Sequence, residues 1–266
     1  MKDSTEQENV TALPAAFDTV RMPLRAVALP AEQVVHLWHL DLAQLAGALQ
    51  HALAGDSHAE DERNGRKAVA GDLTAGQLRF ARRFYLRLLI GAYLDLPGKS
   101  VEILRSHRGK PALDYSVHQS PLHFSMAKSG DQLLIGIAVT DHLGVDLEPL
   151  DRQAHSAMRV ARRYFSAAEA EALAGLPAAR LDRAFLRVWA CKEAVVKASG
   201  QGIANQLCRF SVETDPLRAP AVLQIDGDEP GAWSLALVKP AEHLLGAVAL
   251  RQPGLEIVCH RLLPTA

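Results

Sequence analysis

Apolar residues along the chain follow two periods, and the switches between them outline the elements. Leu78, Ala81, Tyr85, Leu88 and Ala92 recur at steps of three and four, so the spacing predicts a helix over Leu78 to Leu94 with one buried stripe. A second helix is predicted from Leu181 to Ala198, with Ala184, Val188, Cys191 and Val195 on its stripe and Gly200 and Gly202 ending it. Before it, "FSAAEAEALAGLP" sets Ser166 three residues ahead of Glu169, a capping box for a shorter helix that Gly175 and Pro177 close. "QVVHLWHLDLA" instead alternates, as a strand does. His36 and His39 on that strand point to opposite faces, so they do not form a metal pair.

Further strands are predicted at "VEIL", "LHFSMA", "QLLIGIAVT" and "LGVDLEPL" in the middle. Five more follow the second helix, at "LCRFSVE", "AVLQID", "WSLALV", "LLGAVAL" and "LEIVCHRL". Each half thus carries a long helix and a set of strands, although no repeat is visible residue by residue. Residues 1–30 are polar and then broken by Pro14, Pro23 and Pro30, which reads as a tail or irregular lead-in. The expected division is 1–30 lead-in, 31–149 N-terminal subdomain and 150–266 C-terminal subdomain.

Composition narrows the classes. With 266 residues, 48% of them hydrophobic, the chain can bury a substantial core, and a formal net charge of −1 gives no overall attraction to nucleic acid or a membrane surface. Cys191, Cys208 and Cys259 show no C-x-x-C spacing, which argues against a disulfide framework or zinc site and fits a reducing compartment. The first residues lack the basic start and apolar run of a signal peptide, so a cytoplasmic, soluble protein is expected.

Two stretches carry candidate chemistry. In "GVDLEP", Asp146 and Glu148 lie two apart on a predicted strand and share a face, with Val145 and Leu147 on the other. Hard oxygen donors so placed suit Mg²⁺ or Mn²⁺, although the same pair also describes the exposed edge of a strand. In "VWACKEAVVKASGQG", Glu193 and Lys197 are one helical turn apart, while Lys192 is rotated by about a hundred degrees. Alone they make a surface ion pair. Joined to Asp146 and Glu148, Glu193 completes a three-carboxylate metal site, and Lys197 would meet the phosphate that such a metal binds. Arg79, Arg83 and Arg87 form a basic line on the first long helix, which is either a solvated face or a phosphate site. "PGKS" is not a phosphate-binding loop, because Tyr93 stands at its first glycine position and a helix precedes it.

The ordered pair "GVDLEP" and "WACKEAVVK" resembles the G-x-D-x-E and W-x-x-K-E-x-x-x-K signature of the 4′-phosphopantetheinyl transferases of the surfactin-synthetase-activating type. "RGKPAL" is similar to that family's G-K-P segment and "ARRYFSAAE" to its R-x-F-F-S-x-x-E segment, so the resemblance extends over roughly Gln33 to Leu250. It implies an α+β fold of two similar halves in a pseudo-twofold relation, each a small sheet packed by a long helix, with the active site in the cleft between them. It implies transfer of the phosphopantetheine arm of coenzyme A to a serine of an acyl or peptidyl carrier protein, with Mg²⁺ (or Mn²⁺) and release of 3′,5′-ADP. By motif position, Asp146, Glu148 and Glu193 would hold the metal, Glu193 would take the serine proton and Lys197 would steady the phosphate. Trp189 would pack and position its helix, and Lys192 would be structural or a proton donor. Arg63, Arg66 and Lys110 fall where the family places cations or adenine contacts, Pro111 would shape the nucleotide loop, and Arg79 is a weaker candidate. The protein is expected to act as a monomer on coenzyme A and an apo carrier protein, with a basic or apolar docking face.

One segment departs from the family. Where F-N-x-S-H-S-x-G is usual, the chain reads "FSMAKSGDQ", so Ser125 replaces Asn, Ala127 replaces Ser and Lys128 replaces His. Lys128 supplies a permanent cation for a phosphate, and Ser125 remains a candidate contact, but a hydroxyl is lost. That loss leaves open a non-catalytic binder of coenzyme A or carrier protein, and the same carboxylates leave open a metal-dependent phosphohydrolase.

Overall fold

The computed structural model describes residues 16–46, 73–106, 109–152, 156–200, 202 and 206–265. The chain is α+β and divides into two compact units, one of Ala16–Asp141 with Glu256–Ala266 and one built on His142–Leu255. Each is a sheet with a long helix.

In the N-terminal unit, β1 (Asp18–Arg21) and β2 (Val34–Asp41) precede helix α1 (Ala75–Leu94). A hairpin of β3 (Ile103–Arg105) and β4 (Pro111–Leu113), a short helix α2 (Tyr115–His118), and strands β5 (His123–Ser129) and β6 (Gln132–Ala138) come after it. Helix α1 starts at a full capping box between Thr74 and Gln77 and stops at Asp95 in the left-handed region. Its buried stripe is Ala81, Tyr85, Leu86, Leu89, Ile90 and Tyr93; Leu78, Leu88 and Ala92 of the expected stripe are only half-buried at its margin. The helix meets β2 through the Tyr93 hydroxyl, which accepts from Trp38 Nε1 at 2.8 Å and contacts His36 Nδ1 at 2.8 Å. His39, on the opposite face, contacts Gln132 Oε1 at 2.8 Å.

The expected lead-in is not wholly irregular. Asp18–Arg21 forms β1, because the last strand of the chain, β12 (Glu256–Leu263), gives it a parallel partner. β12 returns to the N-terminal unit and inserts between β1 and β2, giving the order β1-β12-β2-β6-β5. The expected division after Pro149 also differs from the grouping of contacts, which puts β7 (Leu143–Pro149) with the C-terminal unit.

In that unit, β7 pairs with β11 (Leu244–Leu250), which pairs with β10 (Ser234–Val238), all antiparallel. Helices α3 (Ala157–Tyr164), α4 (Ala167–Ala174) and α5 (Ala178–Ser199) and a β8 (Phe210–Val212) and β9 (Val222–Ile225) hairpin complete it. The predicted stripe of Ala184, Val188, Cys191 and Val195 packs α5 into a core with Phe165, Phe185, Ala247 and Ala249. Among the described residues no helix is long and apolar enough to cross a membrane.

Candidate functional site

Gly144 sets how closely α5 approaches β7. A Cβ at this position would lie 1.9 Å from the Ala194 carbonyl oxygen and 2.5 Å from the Ala198 amide nitrogen, so only glycine lets the two backbones touch. Alternation along the strand puts Gly144, Asp146 and Glu148 on that same face. The two acids of "GVDLEP" are therefore under the helix and not on an exposed edge: Asp146 is 6% exposed and Glu148 9%.

The helix answers with Glu193 and Lys197. Lys197 Nζ donates to Asp146 Oδ1 at 2.7 Å, a bond across the interface to β7. Asp146 Oδ2 is buried with no hydrogen-bond partner. Glu148 accepts from Arg152 at 2.6 Å, with a further bond from the side chain of Trp189, whose ring Arg152 also approaches at 6.0 Å. Burial raises the pKa of Asp146 against the pull of Lys197, and that of Glu148 against the pull of Arg152. Glu193, 6% exposed, is pushed up to about 7 by burial first and then by the charges of Asp146 and Glu148. Two cations thus face three carboxylates, and a proton on Glu193 or an added cation supplies the missing charge.

The donor set is all carboxylate oxygen, which matches Mg²⁺ or Mn²⁺ chemistry, and the orphaned Asp146 Oδ2 is an acceptor in want of a cation. Among the described residues no group of three His, Cys, Asp or Glu side chains already stands in a metal-holding arrangement. Lys197 and Arg152 sit on oxygens of Asp146 and Glu148 instead.

Lys192, next to Glu193 in sequence, turns the other way. It is fully buried and donates to Glu169 Oε1 at 2.8 Å, to Glu169 Oε2 at 2.7 Å and to the Phe210 carbonyl at 2.7 Å. Its ammonium also lies 4.2 Å from the centre of the Phe210 ring. These contacts give Lys192 a part in the packing of α5. By sequence Glu169 closes the Ser166 capping box, which the structure contains, and ends the "ARRYFSAAE" segment; its bond to Lys192 has no local signature. Arg152 was missed for the same reason.

The remaining candidates belong to the N-terminal unit. Lys110 and Pro111 stand at the turn into β4, which packs on β5. Lys110 has its pKa lowered by burial, with Asp141 opposing. On β5, Ser125 is buried and Lys128 three residues on is exposed. Arg63 and Arg66 lie outside the described residues. On α1, Arg79 and Arg83 are exposed, whereas Arg87 donates to the Val101 carbonyl, so the basic line is shorter than its spacing suggests. A cavity of about 310 Å³ lies beside Val195, Val196 and Ser199, on the side of α5 away from Glu193 and Lys197.

Comparison with known proteins gives the chain a family. A profile of the 4′-phosphopantetheinyl transferase superfamily matches residues 142–249, the stretch that holds the acid cluster. The 4′-phosphopantetheinyl transferase HetI of Nostoc sp. is 35% identical over 230 residues, 81% of this chain and 87% of its own length. The human L-aminoadipate-semialdehyde dehydrogenase-phosphopantetheinyl transferase is 28% identical over 209 residues, 73% of this chain and 66% of its own. The 4′-phosphopantetheinyl transferase psf-1 of Bacillus pumilus is 29% identical over 173 residues, 64% of this chain and 69% of its own.

Proposed function

The chain belongs to the 4′-phosphopantetheinyl transferase superfamily, and from that membership we propose that it transfers the phosphopantetheine arm of coenzyme A to a serine of an acyl or peptidyl carrier protein. The paired signature "GVDLEP" and "WACKEAVVK" supports assigning it to the surfactin-synthetase-activating type. The single observation that carries the reading is that Glu193 and Lys197 of α5 meet Asp146 and Glu148 of β7.

In this reading the serine oxygen attacks the pyrophosphate phosphorus that bears the pantetheine arm, and the bond to the 3′,5′-ADP oxygen breaks. Glu193 takes the serine proton as the general base. Lys197 is the cation nearest Asp146 and moves onto a phosphate oxygen. Mg²⁺ held by Asp146, Glu148 and Glu193 would neutralise the pyrophosphate charge. On β5 and at β4, Lys128, Ser125, Lys110 and Pro111 are the proposed coenzyme A contacts, together with Arg63 and Arg66.

Mass spectrometry of an apo carrier protein incubated with coenzyme A, Mg²⁺ and this protein tests the proposal. A gain of one arm, lost with Asp146→Ala, is the expected result. Binding without a mass gain would point to the non-catalytic reading that the Ala127 and Lys128 departure leaves open. Release of 3′,5′-ADP with no carrier present would point to a phosphohydrolase.

A further inference from the structure

We propose that Lys192 is a positioning residue: through its buried ion pair with Glu169 it fixes the rotation of α5 and so aims Glu193 and Lys197 at β7. The inference rests on the transfer reaction above only for its activity readout. Residues one apart on a helix point about a hundred degrees apart, so whatever holds Lys192 in place dictates where Glu193 points.

Lys192 is held unusually completely. Its three N–H bonds are all used, two on Glu169 and one on the Phe210 carbonyl. Glu169 is equally saturated. Besides Lys192 it accepts from the Val212 amide at 2.9 Å and from the Ser166 amide and hydroxyl, each at 2.9 Å. Both side chains are buried, at 0% and 2% exposure. The pair therefore joins three elements, the start of α4, the middle of α5 and strand β8, by bonds with fixed directions.

The face of α5 against β7 brings Ala194 and Ala198 onto Gly144 in close packing, and the ion pair adds bonds of fixed direction that such apolar contact lacks. A buried ion pair contributes little net stability against an apolar replacement of similar volume, so specificity of orientation is what it adds here. The hypothesis separates from a merely stabilising role by what its loss does to the acid cluster.

The test uses the full chain with the neutral double substitution Lys192→Met and Glu169→Gln, since Lys192→Met alone would leave a buried unpaired carboxylate and can fail to fold. Leu237→Ala, a cavity in β10, serves as the control for lost stability. The expected outcome is a cooperative melt for all proteins, with Mn²⁺ affinity measured without coenzyme A falling about tenfold in the double variant. Its kcat falls by about tenfold or more while KM for the carrier changes less than about threefold, and Leu237→Ala leaves all three near wild type. A folded double variant with wild-type Mn²⁺ affinity and kcat overturns the proposal, as does an equal loss in Leu237→Ala. A wild-type protein that binds Mn²⁺ without transferring the arm sinks the functional reading, and the Mn²⁺ comparison then still decides the positioning role. Absence of both in the wild type removes both.

Discussion

Glu193 carries an electrostatic tension, since burial and the charges of Asp146 and Glu148 oppose its ionisation. Its pKa is raised from 4.5 to about 7. A carboxyl that binds its proton more tightly when folded than when unfolded costs stability as pH rises through that window, on the order of 3 kcal/mol once it is fully ionised. Below the window the cost is absent. Glu193→Gln is therefore expected to raise the melting temperature of the metal-free protein at pH 8, to leave it nearly unchanged below pH ~4.5, and to abolish transfer; equal melting temperatures at pH 8 would remove the tension. Mg²⁺ should stabilise wild type at pH 8 and lose most of that effect in the variant. Lys128 is a different case, exposed on β5. Lys128→Ala should weaken coenzyme A binding several-fold by calorimetry at low salt, with an unchanged melt, because only a solvent-facing charge is removed.

Between elements, the decisive contact is α5 on β7. Because a Cβ at Gly144 would meet helix backbone and not a flexible side-chain end, the strand or helix must shift to accept it. Gly144→Ala is expected to destabilise the protein by about 1–3 kcal/mol or more in urea unfolding, and to reduce transfer further than the lost stability explains. Wild-type stability in this variant would contradict the close approach. The helix also shows where period alone is blind. Arg187, Lys192 and Glu193 are buried charges among the apolar residues of α5, yet by type each reads as solvent-facing. Arg187 is stabilised by the Pro216 and Arg218 carbonyls and Lys192 by Glu169, partners remote in sequence.

At the scale of the molecule, the N-terminal unit is closed by the chain's last strand. β12 pairs in parallel with β1 on one side and with β2 on the other, and it buries Cys259 and Leu262. A chain ending at Leu255 would leave β1 without a partner and β2 with an open apolar edge. It is expected to bind a hydrophobic dye and to lose its cooperative thermal transition; a melt like that of the full chain would show that β12 is dispensable. The same strand explains why a linear division of the sequence fails to match the two compact units.

The sequence by itself determined the two long helices, the strands from β2 onward except β4, the common face of Asp146 and Glu148, the Ser166 cap and the family signature. All of these are local, since period and capping depend on residues within a turn or two of each other. Tertiary structure alone decided that those acids are buried, that Lys197 bonds to Asp146, that Lys192 is locked to Glu169, and that β12 returns to the first unit. Such outcomes depend on which face meets which at close-packed distance, and that is fixed jointly by segments far apart along the chain.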